Sequence, residues 1–114
     1  MKLPNFERAT VPREKIVNYL LSDTHPHGHH KAAFFRSFGF SADNWLELAE
    51  ALLAHAEKHE GVRAEDSPFG VRYVIDGIME SPDGRNPSIR AVWFIDTGGD
   101  EPRFVTAFPL KKDA

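Results

Sequence analysis

The residues best suited to chemistry lie in one short segment, THPHGHHKAAFF, which occupies positions 24–35. It carries four histidines within six positions, and a lysine follows them directly. Imidazole transfers protons near neutral pH, and it is also the commonest protein ligand for metal ions. The segment therefore raises two alternatives: a site for proton transfer beside an anion, and a metal site.

Lys31 favours the first alternative. It is expected in the first turn of a helix, where the helix dipole disfavours a cation. Its aliphatic stem is expected to lie along the apolar side of the helix, between Phe35 and Phe38. One interpretation is that the stem covers these phenylalanines while the ammonium reaches solvent. The other is that an anion, phosphate by preference, binds at this helix start. Its contacts would be the Lys31 ammonium, the N–H groups following Gly28, and His29 or His30 as acid or base.

The metal alternative uses histidines as zinc ligands, with the candidate set His25, His27, His29, His30, His55 and His59. The last two lie four residues apart in HAEKH, which is not the H-E-x-x-H arrangement of a zinc enzyme. A pair of histidines in the last turn of a helix is also favoured by the helix dipole alone. The chain has no cysteine, which excludes a cysteine-bound zinc. We therefore predict no bound metal and no other cofactor.

The composition limits the class of protein. With 114 residues the chain is expected to form one domain over positions 1–114. Lys and Arg number 14 against 17 Asp and Glu, so the net charge of −3 gives no general attraction to nucleic acid, and an anion site must be local. The lack of cysteine, of an apolar leader and of an apolar run of about 20 residues predicts a cytoplasmic protein that does not enter a membrane.

Three helices are predicted over positions 12–59, where apolar residues recur at helical spacing. The first carries Ile16, Tyr19 and Leu20 on one side. The second runs through HHKAAFFRSF, and the third follows Ser41 as its N-cap. The histidine and lysine segment is thus expected to enter the second helix.

An antiparallel sheet is predicted over positions 62–110, where the period changes to two. VRYVIDGIME, SIRAVWFIDT and RFVTAFPL predict three strands, and VRAED could add an edge strand. Tyr73, Trp93 and Phe104 share the face expected to pack against the helices, and strict alternation puts Thr106 on the same face. The fold class is therefore α+β, with three N-terminal helices on one face of a three- to four-stranded meander.

The opposite face of the sheet is charged. Arg72 and Arg90 are candidate contacts for the same anion as Lys31. Acidic residues such as Asp76 and Asp96 are close in register, however, and cross-strand ion pairs worth about 0.2–1 kcal/mol each are the alternative.

Several segments in the same order resemble a small bacterial family known as a domain of unknown function (DUF6883). They are KLPNFERATV, KIVNYLL, HPHGHHKAAFFRSFGF, FGVRYVIDGIMESPDGR and IRAVWFIDTGGDEPRFVTAFPL. That family is in turn similar to the compact ribonuclease toxins grouped with barnase, colicin D and RelE. The resemblance implies N-terminal helices on a four-stranded antiparallel sheet. It also implies metal-free RNA cleavage by His, Lys, Arg and Ser, Thr or Tyr side chains.

Carried over residue by residue, the resemblance points to His25, Gly28 and Lys31 in HPHGHHK and to Thr106 in FVTAFP. Related toxins often end in a threonine followed by a tyrosine. This chain has Phe108 there, so one hydroxyl that could contact the scissile phosphate is missing.

The leading hypothesis is a metal-independent ribonuclease-like domain, either a toxin or an inactive derivative of one. A histidine, with His25, His29 and His30 as candidates, would take the 2′-hydroxyl proton, while Lys31 and an arginine stabilise the charged phosphorane. RNA and a cognate antitoxin or immunity protein are the expected partners. The alternative is a non-catalytic protein-interaction module, and the third hypothesis is a histidine-ligated metal protein.

Overall fold

The computed structural model describes residues 2–22, 24–26 and 29–110, so His27, Gly28 and the side chain of His29 lie outside the described part. Its helices are α1 (Arg13–Lys15, continued in π-helical form by Ile16–Leu20), α2 (His29–Ser37) and α3 (Trp45–Lys58). Its strands are β1 (Val62–Ser67), β2 (Gly70–Ile78), β3 (Ser88–Asp96) and β4 (Arg103–Pro109). The four strands form one antiparallel sheet in the order β1-β2-β3-β4. The α+β class and the meander are confirmed, and VRAED is the edge strand β1.

The start of α3 differs from the prediction. Ser41 has extended backbone angles and makes no side-chain capping bond. A 3-10 turn over Ala42–Asn44 follows it, and α3 begins only at Trp45. The assignment of Ser41 as the N-cap of α3 is therefore wrong, because the tighter turn separates the serine from the first turn of the α-helix.

The core lies between the helices and alternate residues of the sheet. Tyr73, Trp93 and Phe104, predicted for the buried face, all belong to one core cluster with Leu48 and Leu52 of α3. The rings of Trp93 and Phe104 meet edge to face with centroids 5.5 Å apart. No helix among the described residues is long and apolar enough to cross a bilayer.

A β-bulge in β4 changes which residues share a face. Trp93 pairs with Phe104, but Val92 pairs with Thr106, so β4 carries one extra residue between the two pairs. Ala107 rather than Thr106 joins Phe104 in the core cluster. The prediction that Thr106 shares the core-facing side is therefore wrong, since it assumed unbroken alternation. The bulge leaves Thr106 only half-buried.

Candidate active site

Three polar side chains from three separate elements meet at one point. Lys31 of α2 donates through Nζ to the Tyr19 hydroxyl and to Thr106 Oγ1, the latter at 2.9 Å. The Tyr19 and Thr106 oxygens lie 3.0 Å apart, within hydrogen-bond distance. The Lys31 ammonium is thus held by two hydroxyl groups, which goes beyond the interpretation of a stem that only covers phenylalanines.

Two further rings border this cluster. The imidazole of His25 meets the Tyr19 ring edge-on, with centroids 4.9 Å apart. Lys31 Nζ lies 4.8 Å from the centre of the Tyr19 ring and 5.7 Å from that of Phe108, both within the range of cation–π attraction. We call Tyr19, His25, Lys31 and Thr106 the hydroxyl–lysine cluster.

The first helix positions Tyr19 through an irregular turn. Its last turn is π-helical, and Leu21 N–H donates to Ile16 O at 2.8 Å, five residues back. Such single π turns occur frequently at functional sites. Ile16 and Leu20 are fully buried, whereas Tyr19 between them is half-buried, so the two aliphatic residues fix the turn that carries the phenol.

Lys31, Tyr19 and Thr106 together have more hydrogen-bond donors than their mutual contacts use. The Lys31 ammonium carries three N–H groups, and each hydroxyl adds one O–H, while the contacts within the cluster use three of these five. An ammonium accepts no hydrogen bond, and no carboxylate of the described residues lies within ion-pair distance of Lys31. Two donors and one positive charge thus remain for an acceptor, which is the requirement for binding an anion.

The phenol of Tyr19 is electrostatically activated. Burial raises its pKa, but hydrogen bonds from Lys31 and Thr106 and the positive charges of Lys31 and Lys15 together bring the pKa below its usual value. The phenol is therefore a better proton donor than a free tyrosine side chain.

The structure brings only some of the predicted residues into this cluster. His25, Lys31 and Thr106 meet there. His30 is exposed, while Gly28 and the His29 side chain lie outside the described residues. The roles of these last three remain predictions.

The predicted anion contacts Arg72 and Arg90 are both occupied by carboxylates. Arg90 holds Asp76 through two bonds of 2.7 and 2.8 Å, and Arg72 pairs with Glu65. The bonds from Arg90 lower the pKa of Asp76. The ion-pair alternative thus describes the contacts seen. Arg90 also pairs in register with Phe108, whose ring borders the Lys31 ammonium; anion binding by either arginine stays a prediction.

His55 of α3 and His59, which follows the end of that helix, serve the fold. His55 Nε2 bonds to Gly77 O at 3.2 Å and His59 Nε2 bonds to Ile78 O at 2.9 Å. Burial, and next the charge of His59, lower the pKa of His55 to about 4, so His55 is neutral at pH 7. Among the residues that the structure describes, no three His, Asp or Glu side chains are grouped to hold a metal ion.

Tyr19 is the cluster residue that sequence reasoning missed, because it was assigned to an apolar stripe with Ile16 and Leu20. The available signal was its hydroxyl, since a tyrosine on a buried stripe needs a hydrogen-bond partner. Its phenol also offers a hydroxyl to the same lysine that Phe108 borders. Lys31 thus contacts a hydroxyl on Tyr19, whereas Phe108 offers it only a ring face.

Comparisons with known proteins agree with this architecture. No curated protein matches the chain. Among solved structures, it is similar to a chain of the contact-dependent growth inhibition toxin–immunity protein complex from Klebsiella pneumoniae 342. The TM-score is 0.70 and the identity 17%, over 88% of this chain and 98% of the other, which establishes a shared fold. A family model matches residues 2–111, and the chain therefore belongs to the family described as Domain of unknown function (DUF6883).

Proposed function

We propose that this protein is a metal-independent ribonuclease-like domain that acts as a toxin. The observation that carries the proposal is the convergence of Lys31 with the two hydroxyls of Tyr19 and Thr106, beside the imidazole of His25. These four groups comprise a cation, two hydroxyl donors and a proton acceptor, the set needed to cleave RNA through its own 2′-hydroxyl.

The proposed reaction transfers a phosphoryl group within the RNA. His25 removes the proton of the 2′-hydroxyl, whose oxygen then forms a bond to the adjacent phosphorus. The bond between phosphorus and the 5′-oxygen breaks, and Tyr19 donates its proton to that leaving oxygen. The products are a 2′,3′-cyclic phosphate and a 5′-hydroxyl, and no metal is needed to balance the step.

Lys31 and Thr106 stabilise the intermediate in this scheme. The phosphorane carries an additional negative charge on its non-bridging oxygens, and a preorganised ammonium beside it lowers the barrier. The two unused donors of the cluster are the groups that would bind these oxygens. Lys31 therefore has no substitute in the scheme, since it both supplies the charge and orients the hydroxyls.

A cognate protein partner is part of the proposal. The similar structure from Klebsiella pneumoniae 342 is a toxin–immunity protein complex, so a chain of this fold occurs in such an assembly. We infer that a partner of this kind binds over the hydroxyl–lysine cluster and blocks access to RNA.

A non-catalytic role in binding a partner is the second candidate. The likeness to a chain of a toxin–immunity protein complex fits this role equally, because a shared fold does not tell toxin from immunity protein. The two candidates differ in their effect on cells. A toxin inhibits growth and loses this effect when Lys31 is replaced, whereas a non-catalytic binding protein has no such effect to lose.

The test is cleavage of total RNA by the purified protein in the presence of a chelator. We expect cyclic-phosphate ends in the wild-type reaction. Lys31→Met should lower the rate by about 10²–10³-fold, as for loss of one transition-state donor, and Tyr19→Phe by a similar factor. Lys58→Met, which removes an exposed lysine paired with Glu80, is the matched control and should leave the rate unchanged. Absence of cleavage by the wild type, or equal rates for Lys31→Met and Lys58→Met, would refute the ribonuclease.

A further inference from the structure

A cavity of about 400 Å³ is lined from α2, from the connection between β2 and β3, and from the end of β4. This volume is in the range of small-molecule sites, about 300–1,000 Å³. Its principal lining residues are Phe34, Phe38, Ile78, Arg85, Asn86 and Pro109. We propose that it binds the nucleobase of the nucleotide whose phosphate contacts Lys31, a proposal that rests on the ribonuclease function above.

Two lining residues of the cavity are close in sequence to residues at the Lys31 ammonium. On α2, Phe34 lies three residues after Lys31 and so on the same side of the helix, about 5 Å along its axis. On β4, Pro109 follows Phe108, whose ring borders the Lys31 ammonium. We therefore infer that the base attached to a phosphate at Lys31 reaches this cavity from the Phe34 side.

The cavity wall provides flat surfaces for stacking. The rings of Phe34 and Phe38 have centroids 5.1 Å apart, and the Arg85 guanidinium carbon lies 4.4 Å from the centre of the Phe38 ring. Arg85 Nε pairs with Asp83 at 2.6 Å, and Nη2 donates to Ser37 O. These bonds hold the edges of the guanidinium, and Phe38 lies against it, so the exposed face of the guanidinium on the side away from Phe38 is the surface for contact. Aromatic rings and guanidinium planes are the groups on which single-stranded RNA bases stack.

Asn86 adds a polar contact. The side-chain oxygen Oδ1 of Asn86 accepts a hydrogen bond from the Ser81 N–H at 3.0 Å, which fixes the side chain. The backbone N–H of Asn86 donates to Ser81 Oγ at 3.0 Å. The side-chain nitrogen of Asn86, Nδ2, makes no hydrogen bond within the described part of the chain. It therefore retains two N–H donors for an acceptor atom on the base edge. An occupant with a flat ring and polar edge atoms fits this wall better than an aliphatic side chain.

A second cavity of about 330 Å³ gives the contrast. Glu47, Glu50 and Glu80 line it, and it has no arginine or lysine in its wall. Carboxylates repel the RNA backbone, whereas the cavity lined by Phe34 and Phe38 carries the Arg85 guanidinium. Of these two cavities, the charge distribution therefore favours the one with Arg85 for RNA.

The proposal is tested with a fluorescent single-stranded RNA whose riboses are 2′-O-methylated, which cannot be cleaved through the 2′-oxygen. Phe34→Leu keeps an apolar side chain but removes the planar ring, and it should weaken binding about 10-fold or more. The stabilisation of the protein by inorganic phosphate should stay unchanged, because Lys31 is intact. Phe69→Leu is the control, since Phe69 is 79% exposed at the β1–β2 turn. Asn86→Ala provides a second variant in case Phe34→Leu folds poorly.

The outcomes separate this proposal from the ribonuclease proposal. If both cavity variants bind and cleave RNA like the wild type while Lys31→Met does not cleave, the base site is refuted and the ribonuclease stands. If the wild type binds the methylated RNA and Phe34→Leu does not, but normal RNA is never cleaved, the base site stands and catalysis is refuted. If the wild type binds no RNA, the base site is overturned and a protein ligand becomes the occupant to test.

Discussion

The hydroxyl oxygens of Tyr19 and Thr106 lie 3.0 Å apart although the residues are 87 positions apart in the chain. Lys31 donates to both, so one ammonium connects the first helix with the last strand. The cluster exists only when α1, α2 and β4 are packed together. Its properties are therefore sensitive to single substitutions that leave the core intact.

Lys31→Met should change the free energy of unfolding by less than about 1 kcal/mol. Met keeps the apolar stem and removes a cation from the first turn of a helix, and Tyr19 and Thr106 can still bond to each other. Phosphate or sulfate should raise the melting temperature of the wild type but not of Lys31→Met, because a ligand stabilises only the state that binds it. Melting curves with and without phosphate measure both effects, with Lys58→Met as the control. Equal phosphate shifts in all three proteins would remove the anion site.

Tyr19 should ionise below the usual pH range of a tyrosine, because Lys31 and Thr106 favour the phenolate. The chain has two tyrosines, so Tyr73→Phe leaves Tyr19 as the only one. Ultraviolet absorption of the phenolate during a pH titration of Tyr73→Phe then reports Tyr19 alone. Adding Lys31→Met should move the titration to higher pH. An unchanged titration after that substitution would show that the ammonium does not act on the phenol.

His55 should make the protein less stable in mild acid. Its pKa in the folded chain is about 4, below the usual value near 6.5, since burial and the charge of His59 disfavour the cation. Between these two pH values the unfolded chain binds more protons than the folded chain. The contribution of His55 to the free energy of unfolding is therefore fully present above pH 6.5 and is lost as the pH falls toward 4. The loss is on the order of 3 kcal/mol.

Chemical unfolding at pH 7 and at pH 4.5 measures this dependence. His55→Gln lacks the titrating ring and should show a smaller pH dependence than the wild type, whereas the exposed His30→Gln should behave like the wild type. A pH dependence that is identical in His55→Gln and the wild type would assign it to carboxylates instead.

Gly70→Ala should destabilise the protein by about 2 kcal/mol or more. Gly70 has φ +151°, and a Cβ there would lie 2.6 Å from the Phe94 ring and overlap the Ile95 carbonyl oxygen. Gly61→Ala is the matched control, because a Cβ at Gly61 has nothing within 4 Å. Denaturant unfolding of the two variants compares them directly. Similar stabilities would show that the β1–β2 turn adapts to a side chain.

The sequence by itself determined the fold class and most of the core. Periods of 3.6 and two residues are local properties of a chain, so three helices, the strands and the buried Tyr73, Trp93 and Phe104 could be read from spacing. The boundary errors, such as Ser41, arose where a short 3-10 turn replaced the expected first turn of a helix.

The resemblance carried by the sequence pointed to His25, Lys31 and Thr106 as members of one candidate site, but only the tertiary structure shows Lys31 bonded to Thr106 and Tyr19, with His25 against the Tyr19 ring. The reason for the error at Thr106 is the bulge in β4, which depends on pairing with β3 and reverses an argument from alternation. Tyr19 was missed because its hydroxyl finds its partners on α2 and β4, far away in the chain. Hydrophobic spacing reports which side of an element is buried, whereas the convergence of polar groups depends on how distant elements pack.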